Sequence, residues 1–464
     1  MTSDELGRYM ERAFSVDCPR MILRKNTAAS PDRVYEGPGS IHQTPEGELM
    51  FKVFTSGSPN LREFARIIGS RSKAGEIIPR DEYYSLEATS TKGTIWRGDL
   101  VLPGFNQGVT GGPIITGSLY QLVETMQDAH SKEQRPYLSL TFAEEFDFPG
   151  NTSTTTKTFL GNREIGISGD WTPAVFEAAG LEFRLQKDRG SVSLSAESKN
   201  MILPRHLDLR ISEALEFTLF ESQKWVIRTA QENGQMATTL RPFPRERIKR
   251  ASTPPIGFGS RPTSEKVWNL FTKYLEYVIS HPEAEWHPLS NSVHLAVAGN
   301  ANPLGAGLLA LSVAVEGVLK KGFPKLAVPD DSLRQQIEGA CELISASSLN
   351  GLFKRRLLGS IGAILTPRPK DKLMSLVNAG LMRRELMTAW AVVRNSTVHA
   401  ADFKPTKTAK IFHNYQSALT LLNELIFLII GYVGQYTDYS VVGWPERNWE
   451  WTKREVEGLR GVPV

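Results

Sequence analysis

Residues 389–400 are Ala389-Trp390-Ala391-Val392-Val393-Arg394-Asn395-Ser396-Thr397-Val398-His399-Ala400, the end of an apolar helical run. Arginine forks onto phosphate oxygens, and histidine gives and takes protons near neutral pH. Asn395 and His399 share a face of a continuous helix, whereas Arg394 and His399 lie about 140° apart around it. A phosphate-binding group beside a proton carrier is what cleavage of a phosphodiester requires. The alternative is a helix end with an exposed Arg and a capping Asn.

The size and composition of the chain are typical of a soluble globular protein. Its 464 residues leave room for two or three domains, and 41% hydrophobic against 22% charged residues is enough for a sizeable core. The two cysteines, Cys18 and Cys341, are too few for a disulfide framework or a cysteine-ligated metal site. The first residues carry no apolar stretch typical of a signal peptide, so we expect a cytoplasmic protein.

Positive charge is concentrated in the C-terminal part of the chain. From residue 264 onward there are 22 Lys and Arg against 18 Asp and Glu, which accounts for the whole net charge of +4. A basic belt between 354 and 384 is opposed only by Asp371. Such a belt favours a polyanion such as RNA, although a solvated helix face is the alternative. The predicted RNA-binding residues in it are Lys354, Arg355, Arg356, Arg383 and Arg384.

The first 240 residues are predicted to form a β-rich domain. Short alternating or apolar runs separated by Gly, Pro and Asn indicate strands, and their number favours a sandwich-like or jelly-roll-like arrangement. The predicted strands cover residues 48–54, 94–102, 137–142, 181–185, 191–195 and 224–227. A helix predicted over residues 211–220 is assigned to this domain as well.

Residues 241–263 are rich in Pro, Gly and Arg and are predicted to be a linker. An ordered basic strap is the alternative. From residue 264 to 464 every signal is helical, so the chain is predicted to be an α+β multidomain protein with an all-α C-terminal domain. The predicted helices cover residues 264–279, about 302–322, 330–347, 350–362, 371–398 with a break in the middle, and 406–435.

The last predicted helix is apolar enough to be tested as a membrane span. Glu424 is its only charged residue between Ile411 and Thr437. The strongly apolar part, residues 425–433, is far shorter than the roughly 20 residues that a bilayer requires. We therefore expect a helix in the core or at a dimer interface, and no membrane association.

The helical part resembles the HEPN superfamily, and within it the ApeA-like group. The resemblance covers about residues 300–440 and is carried by three features in order. They are the apolar helix with one acid at 308–316, the sequence Arg394-Asn395-Ser396-Thr397-Val398-His399, and the long closing helix that ends near Tyr439. The second feature matches the Arg-polar-x-x-x-His motif of the family. The β-rich half, with Gly37-Pro38-Gly39-Ser40-Ile41, is similar to the ApeA-type N-terminal domain, but less distinctly.

The resemblance implies a helical bundle that forms a homodimer or higher homo-oligomer and brings two copies of the motif together. It implies metal-independent RNA cleavage without a cofactor, with tRNA as one candidate target. Members often act as toxins or in antiviral defence, which suggests an abortive-infection effector whose β-rich domain responds to a phage-derived trigger. The alternative is a non-catalytic HEPN module that binds a nucleotide or RNA, with a partner-binding β domain.

The residues fit this chemistry. His399 would act as general acid or base, Arg394 would stabilise charge on the phosphate, and Asn395 would orient the imidazole or contact phosphate. Glu316 is the only charged residue from Pro303 to Leu319 and is expected to be partly buried. Since a buried carboxylate needs a cation, we predict that Glu316 pairs with Arg394 and fixes its guanidinium. A purely structural Glu316 is the alternative.

Overall fold

The computed structural model describes residues 1–26, 34–55, 77–106, 114–127, 135–152, 154–160, 163–170, 173–188, 190–199, 202–232, 234–244, 252–257, 263–282, 285–328, 330–398 and 408–450. The chain divides into two compact units. The β-rich unit comprises Met1–Pro204 and Gln223–Arg247, and the helical unit comprises Arg205–Ser222 and Ile248–Val464. The coarse prediction of an α+β protein, with strands first and helices after them, is therefore confirmed.

In the part of the chain that the structure describes, the β-rich unit contains one short α-helix, a 3-10 turn at Arg80–Glu82 and a series of antiparallel strands. The helix is α1, Ser3–Met10. The strands are β1 Ser15–Lys25, β2 Val34–Gln43, β3 Leu49–Phe54, β4 Tyr84–Thr89, β5 Ile95–Val101, β6 Gly104–Asn106, β7 Ile114–Leu119, β8 Leu122–Gln127, β9 Tyr137–Phe142, β10 Thr154–Leu160, β11 Arg163–Asp170, β12 Ala174–Ala178, β13 Leu181–Asp188, β14 Ser191–Ser198, β15 Trp225–Glu232 and β16 Gln235–Leu240. All but β10 and β11 belong to one 14-stranded sheet, ordered β12-β13-β14-β9-β15-β16-β8-β5-β4-β1-β2-β3-β7-β6.

Part of this sheet is rolled. Strands β7 and β8 are joined by residues 120 and 121 alone, although six strand-to-strand steps separate them in the sheet. Six steps span about 29 Å in a flat sheet, whereas so short a connection reaches only about 11 Å. The backbone N–H of Phe243, after β16, also donates to the carbonyl of Gly47, before β3, at 3.0 Å. The strands from β8 to β7 are thus rolled within one continuous sheet, and strand spacing in the sequence does not reveal this order.

The rolled strands enclose an apolar core. Alternate residues of β3 and β4 are buried, as expected for strands with one face inward. Helix α1 closes on this core: its N-cap Thr2 and Glu5 form a capping box, and Tyr9 is fully buried. The Tyr9 ring packs against Phe14 and its hydroxyl donates to the carbonyl of Arg241. These contacts fix the first residues of the chain to the rolled sheet.

The helical unit contains nine helices in the part of the chain that the structure describes. They are α2 Leu207–Leu219, α3 Thr263–Ile279, α4 Pro288–Asn300, α5 Leu304–Gly322, α6 Asp331–Ala346, α7 Gly351–Gly362, α8 Pro369–Asn378, α9 Arg384–Val398 and α10 Thr408–Ile430. A short hairpin of β17, Gly434–Thr437, and β18, Glu446–Trp449, follows α10. The predicted break within residues 371–398 lies between α8 and α9, where Gly380 adopts φ +74°, a conformation that glycine favours.

Helix α2 belongs to the helical unit, whereas the sequence assigned it to the β-rich domain. Eleven of its 13 residues are buried, so the helix packs against other residues on nearly all sides. The Phe217 ring stacks on Tyr274 of α3 with ring centroids 4.9 Å apart and lies edge-on to Phe427 of α10. A helix that is buried on all sides packs among other helices, and sequence adjacency to strands does not decide where it lies.

Buried charges on α2 are paired. The Arg210 guanidinium donates to both carboxylate oxygens of Glu213 at 2.9 Å, and the backbone N–H of His287 donates to Glu213 at 2.8 Å. Glu216 lies 2.8 Å from Nδ1 of the half-exposed His294. His287 caps α4 by accepting from the N–H of Leu289 at 3.1 Å. This hydrogen bond uses the unprotonated nitrogen of His287.

The stability of the chain should therefore depend on His287 at acidic pH. Burial lowers the pKa of His287 to about 4 from 6.5, and His281, Arg210 and Lys321 act in the same direction. Between these pH values the unfolded chain binds a proton that the folded chain does not, so this residue reduces the unfolding free energy as the pH falls from 6.5 to 4. The reduction should approach about 3 kcal/mol at pH 4.

His287→Asn removes this titration and keeps a capping side chain. In urea unfolding at a series of pH values, the variant should lose less stability between pH 6.5 and 4 than the wild type does. The exposed His413→Asn serves as the matched control and should follow the wild-type profile. Parallel profiles for wild type and His287→Asn would contradict the argument.

Residues 252–257 of the predicted linker form an ordered segment. Residues 254–256 are buried. The Tyr439 hydroxyl donates to the carbonyl of Pro254 at 2.7 Å, and the N–H of Thr437 donates to the carbonyl of Pro255 at 2.9 Å. These contacts with the end of the helical unit favour the strap alternative for residues 252–257. Residues 245–251 and 258–262 of the predicted linker lie outside the described part.

Helix α10 is mostly buried, from Tyr415 to Ile430. Within the described part of the chain, no helix combines the length and the apolar character that crossing a bilayer requires.

Candidate functional site

Helices α5 and α9 hold the predicted Glu316–Arg394 pair. The Nε of Arg394 donates to Oε1 of Glu316 in an ion pair between the two helices. The side chains are 44% and 33% exposed, so the pair is open to solvent on one side. The predicted pairing and the partial burial of Glu316 are thus confirmed.

The inner face of α9 fixes the position of Arg394. Leu386, Trp390 and Val393 are buried at helical spacing and pack toward the core of the unit. Arg394 and Asn395 follow directly and are exposed. The apolar run therefore forms the buried stripe of an amphipathic helix, and Arg394 and Asn395 lie on its solvent side. His399, the predicted proton carrier, lies outside the described residues.

Apolar side chains are exposed next to this pair. Leu309 and Val313 lie on the same stripe of α5 as Glu316, at spacings of seven and three residues, and each is about half exposed. Val392, also about half exposed, lies three residues before Asn395 on α9. An exposed apolar surface around a polar site is typical of a face that another molecule covers.

Arg383, predicted to bind RNA, is instead the centre of a buried charge network. One of its nitrogens, Nη2, donates to Oε1 of Glu424 at 2.7 Å, and the other, Nη1, donates to Oδ2 of Asp438 at 2.9 Å. The side chain of Asp438 is fully buried and that of Glu424 is 1% exposed. The Tyr436 hydroxyl donates to the same Glu424 oxygen at 2.8 Å. The prediction for Arg383 is corrected, because these acids, distant in sequence, neutralise it.

The electrostatics of this network depend on Arg383. Burial raises the pKa of Glu424 above its usual value, although Arg383 and Tyr436 oppose the shift. Burial also opposes ionisation of Asp438, but hydrogen bonds from Arg383 and Ser440 lower the pKa of that carboxyl. Glu424 was visible in the sequence as the only charge between Ile411 and Thr437, a pattern that indicates a buried partner. Its partner could not be identified from sequence spacing.

Lys354, another predicted RNA contact, caps a helix. Its ammonium donates to the carbonyls of Ser345 and Ser347 at 2.9 and 2.8 Å, at the C-terminal end of α6. Lys372 of the basic belt is buried and caps α5 in the same way, through the carbonyls of Leu319 and Phe323. Cations are favourable at helix C-termini, where carbonyl groups lack partners. The structure thus gives Lys354 a capping role, and its contact with RNA stays a prediction.

The remaining predicted RNA contacts, Arg355, Arg356 and Arg384, are exposed. Arg384 is the first residue of α9, about 15 Å along the helix axis from Arg394. Arg355 and Arg356 lie on α7.

Among the residues that the structure describes, no group of three or more His, Cys, Asp and Glu side chains could hold a metal ion. No protein-family model matches the chain, and neither the curated proteins nor the solved structures include a match.

Proposed function

We propose that the chain is a metal-independent endoribonuclease of the ApeA-like HEPN type, with Arg394, Asn395, His399 and Glu316 in its site. The observation that carries the proposal is the Glu316–Arg394 ion pair, which presents a half-exposed guanidinium five residues before a histidine. An arginine held in place before the substrate arrives loses less side-chain freedom on binding phosphate. The resemblance to the HEPN superfamily supplies the reaction class.

The proposed reaction is transesterification within RNA. The ribose 2′-oxygen attacks the adjacent phosphorus, the bond from phosphorus to the 5′-oxygen breaks, and a 2′,3′-cyclic phosphate and a 5′-hydroxyl remain. One His399 removes the 2′-hydroxyl proton, and a second His399, from another copy, protonates the departing 5′-oxygen. Arg394 stabilises the additional negative charge on the phosphate oxygens in the transition state.

The proposal includes a dimer formed over the motif. The exposed Leu309, Val313 and Val392 support it, because burying them against a second copy would be favourable and would bring two motifs together. Arg384, at the other end of α9, would contact a second phosphate of the RNA. The β-rich unit would sense an invader or restrain the nuclease, and a phage-defence role rests on the resemblance alone.

The test is RNA cleavage by the purified full-length chain in the presence of EDTA. Products with 2′,3′-cyclic phosphate and 5′-hydroxyl ends are expected. A non-catalytic HEPN module is the competing function, and it would bind RNA without producing new ends. Cleavage that requires a divalent metal and leaves 5′-phosphates would contradict the proposal.

Glu316→Gln tests the positioning of Arg394. The substitution keeps the size of the side chain but removes its charge, so the guanidinium is held less firmly. We expect kcat to fall about tenfold with little change in KM, and the unfolding free energy to change by less than about 1 kcal/mol, because both side chains are partly exposed.

The matched control is Glu276→Gln, which removes a carboxylate paired with Lys273 at 3.2 Å on α3. It should leave both cleavage and stability unchanged. A Glu316→Gln variant with wild-type kcat and wild-type stability would show that Glu316 does not position Arg394.

A further inference from the structure

Helices α6 and α7 form a hairpin whose apolar side chains are largely uncovered. Of residues 330–366, all of which the structure describes, Ile337 alone is buried. Leu343 on α6 is 76% exposed, and Leu352 and Phe353 on α7 are 62% and 52% exposed. Leu343 lies in the last turn of α6, and Leu352 and Phe353 lie in the first turn of α7, so they come together near the tip of the hairpin. An uncovered apolar surface of this kind marks an interaction site.

The two helices carry opposite charge. Residues 330–346 contain four acidic side chains and one arginine, and three of the acids, Asp331, Glu338 and Glu342, lie on one stripe of α6 at spacings of seven and four residues. Helix α7 carries three basic side chains and no acid. Arg355 and Arg356 lie three and four residues after Leu352 and therefore flank it. Each hairpin thus presents an acidic helix beside a basic helix, and each helix carries an exposed leucine close to its charged residues.

Four of these charged side chains have no partner among the residues that the structure describes. In the described part of the molecule, Glu338, Glu342, Arg355 and Arg356 form no ion pair and no side-chain hydrogen bond with another residue, and all four are exposed. A twofold axis that places α6 of one copy on α7 of the other would match acid to base twice and cover the leucines of both hairpins. Self-complementarity of this kind is the requirement for an isologous interface.

We propose that the α6–α7 hairpin is a self-association surface whose occupant is the hairpin of a second copy of this chain. The hairpin is about 24 Å long and 20 Å wide, so each copy offers about 500 Å² of outer face. A standard interface uses roughly 800 Å² on each side, so this contact is smaller than a standard one and is expected to be transient. It is also salt-sensitive, because the paired charges lie at the surface. The inference does not depend on the proposed nuclease activity.

RNA is a less suitable occupant of this surface. Three acidic side chains on α6 and its N-cap Asp330 would repel phosphates, and the exposed leucines offer no phosphate contacts. A second copy uses the acids, the arginines and the leucines together.

The test combines charge reversal with mixing of full-length chains. Glu338→Lys with Glu342→Lys makes both helices basic, and Arg355→Glu with Arg356→Glu makes both acidic. In sedimentation velocity between 1 and 200 µM, each double variant alone should weaken at least tenfold the concentration-dependent association step that the hairpin provides, whether or not a dimer forms over the motif face. An equimolar mixture of the two should regain the wild-type mass, because each altered helix now faces an opposite charge on the other chain.

The mixture separates association between chains from pairing within one hairpin. If the charges paired only within the hairpin of one chain, combining all four reversals in that chain would restore its stability. Mixing the two double variants would then restore no association. The exposed residues Glu182 and Arg184 of β13 provide the control, since reversing them should leave the mass unchanged. Unchanged association by both double variants, or loss of RNA binding by Arg355→Glu with Arg356→Glu without any change of mass, would overturn the proposal.

Discussion

Replacing His399 with alanine is expected to reduce RNA cleavage by about 10²–10⁴-fold, the usual contribution of a general acid or base. The loss should fall on kcat, since the phosphate contacts of Arg394 do not depend on the imidazole. RNA affinity should therefore stay within about twofold of the wild-type value. Cleavage of a labelled RNA under single-turnover conditions, with a binding measurement on the same preparation, separates the two quantities.

The matched control for this variant is His413→Ala, because His413 is exposed on the following helix and has no role in the proposed site. It should cleave at the wild-type rate. Circular dichroism and thermal unfolding would establish that His399→Ala is folded. Undiminished cleavage by a folded His399→Ala chain would remove the nuclease proposal.

A charge-conserving change at Arg394 refines the same test. Arg394→Lys keeps the positive charge but removes the planar fork and the Nε–H that contacts Glu316, so it should cleave more slowly than the wild type and faster than Arg394→Ala. Equal activity of the lysine and arginine proteins would mean that only the charge is needed.

The helices of the second half could be predicted from the sequence because their signals are local. Apolar residues at helical spacing and capping residues such as Asp330 and Asn350, whose side chains accept from backbone N–H groups, fix where α6 and α7 begin. Helix α4 was not predicted. Its buried face contains Ser290 and Ser292, so it lacks a regular apolar stripe and its periodicity is weak.

Most contacts between residues distant in the chain could not be predicted from the sequence. Glu316 and Arg394 could be paired because each is the obvious charge in an apolar stretch. Arg383 could not be distinguished from the exposed Arg384 beside it, because its acidic partners lie 41 and 55 residues further along the chain. Strand order in the rolled sheet is likewise set by contacts between remote segments, which local patterns do not encode.

Arg383→Met is expected to lower the unfolding free energy of the helical unit by about 3–5 kcal/mol, the usual effect of removing one partner from a buried ion pair. The substitution fills similar space with an apolar chain but leaves Glu424 without its cation in the core. Asp438 keeps Arg447, whose Nε lies 2.8 Å from Oδ2, and is affected less. Arg384→Met, the same change one residue later at an exposed position, should alter stability by less than about 0.5 kcal/mol.

Two further measurements tie the effect of Arg383→Met to the buried charge of Glu424. Burial already raises the pKa of Glu424, and losing Arg383 should raise it further. As the pH falls toward 4.5, Glu424 becomes protonated and neutral in the folded and the unfolded variant alike, so the variant recovers stability. The gap between variant and wild type in urea unfolding should therefore narrow from pH 7.5 to pH 5. Adding Glu424→Gln to Arg383→Met should recover part of the loss at pH 7.5, because no unpaired carboxylate remains there. A loss that is independent of pH and is not relieved by Glu424→Gln would mean that Arg383 acts through packing of its aliphatic stem and not through the charge of Glu424.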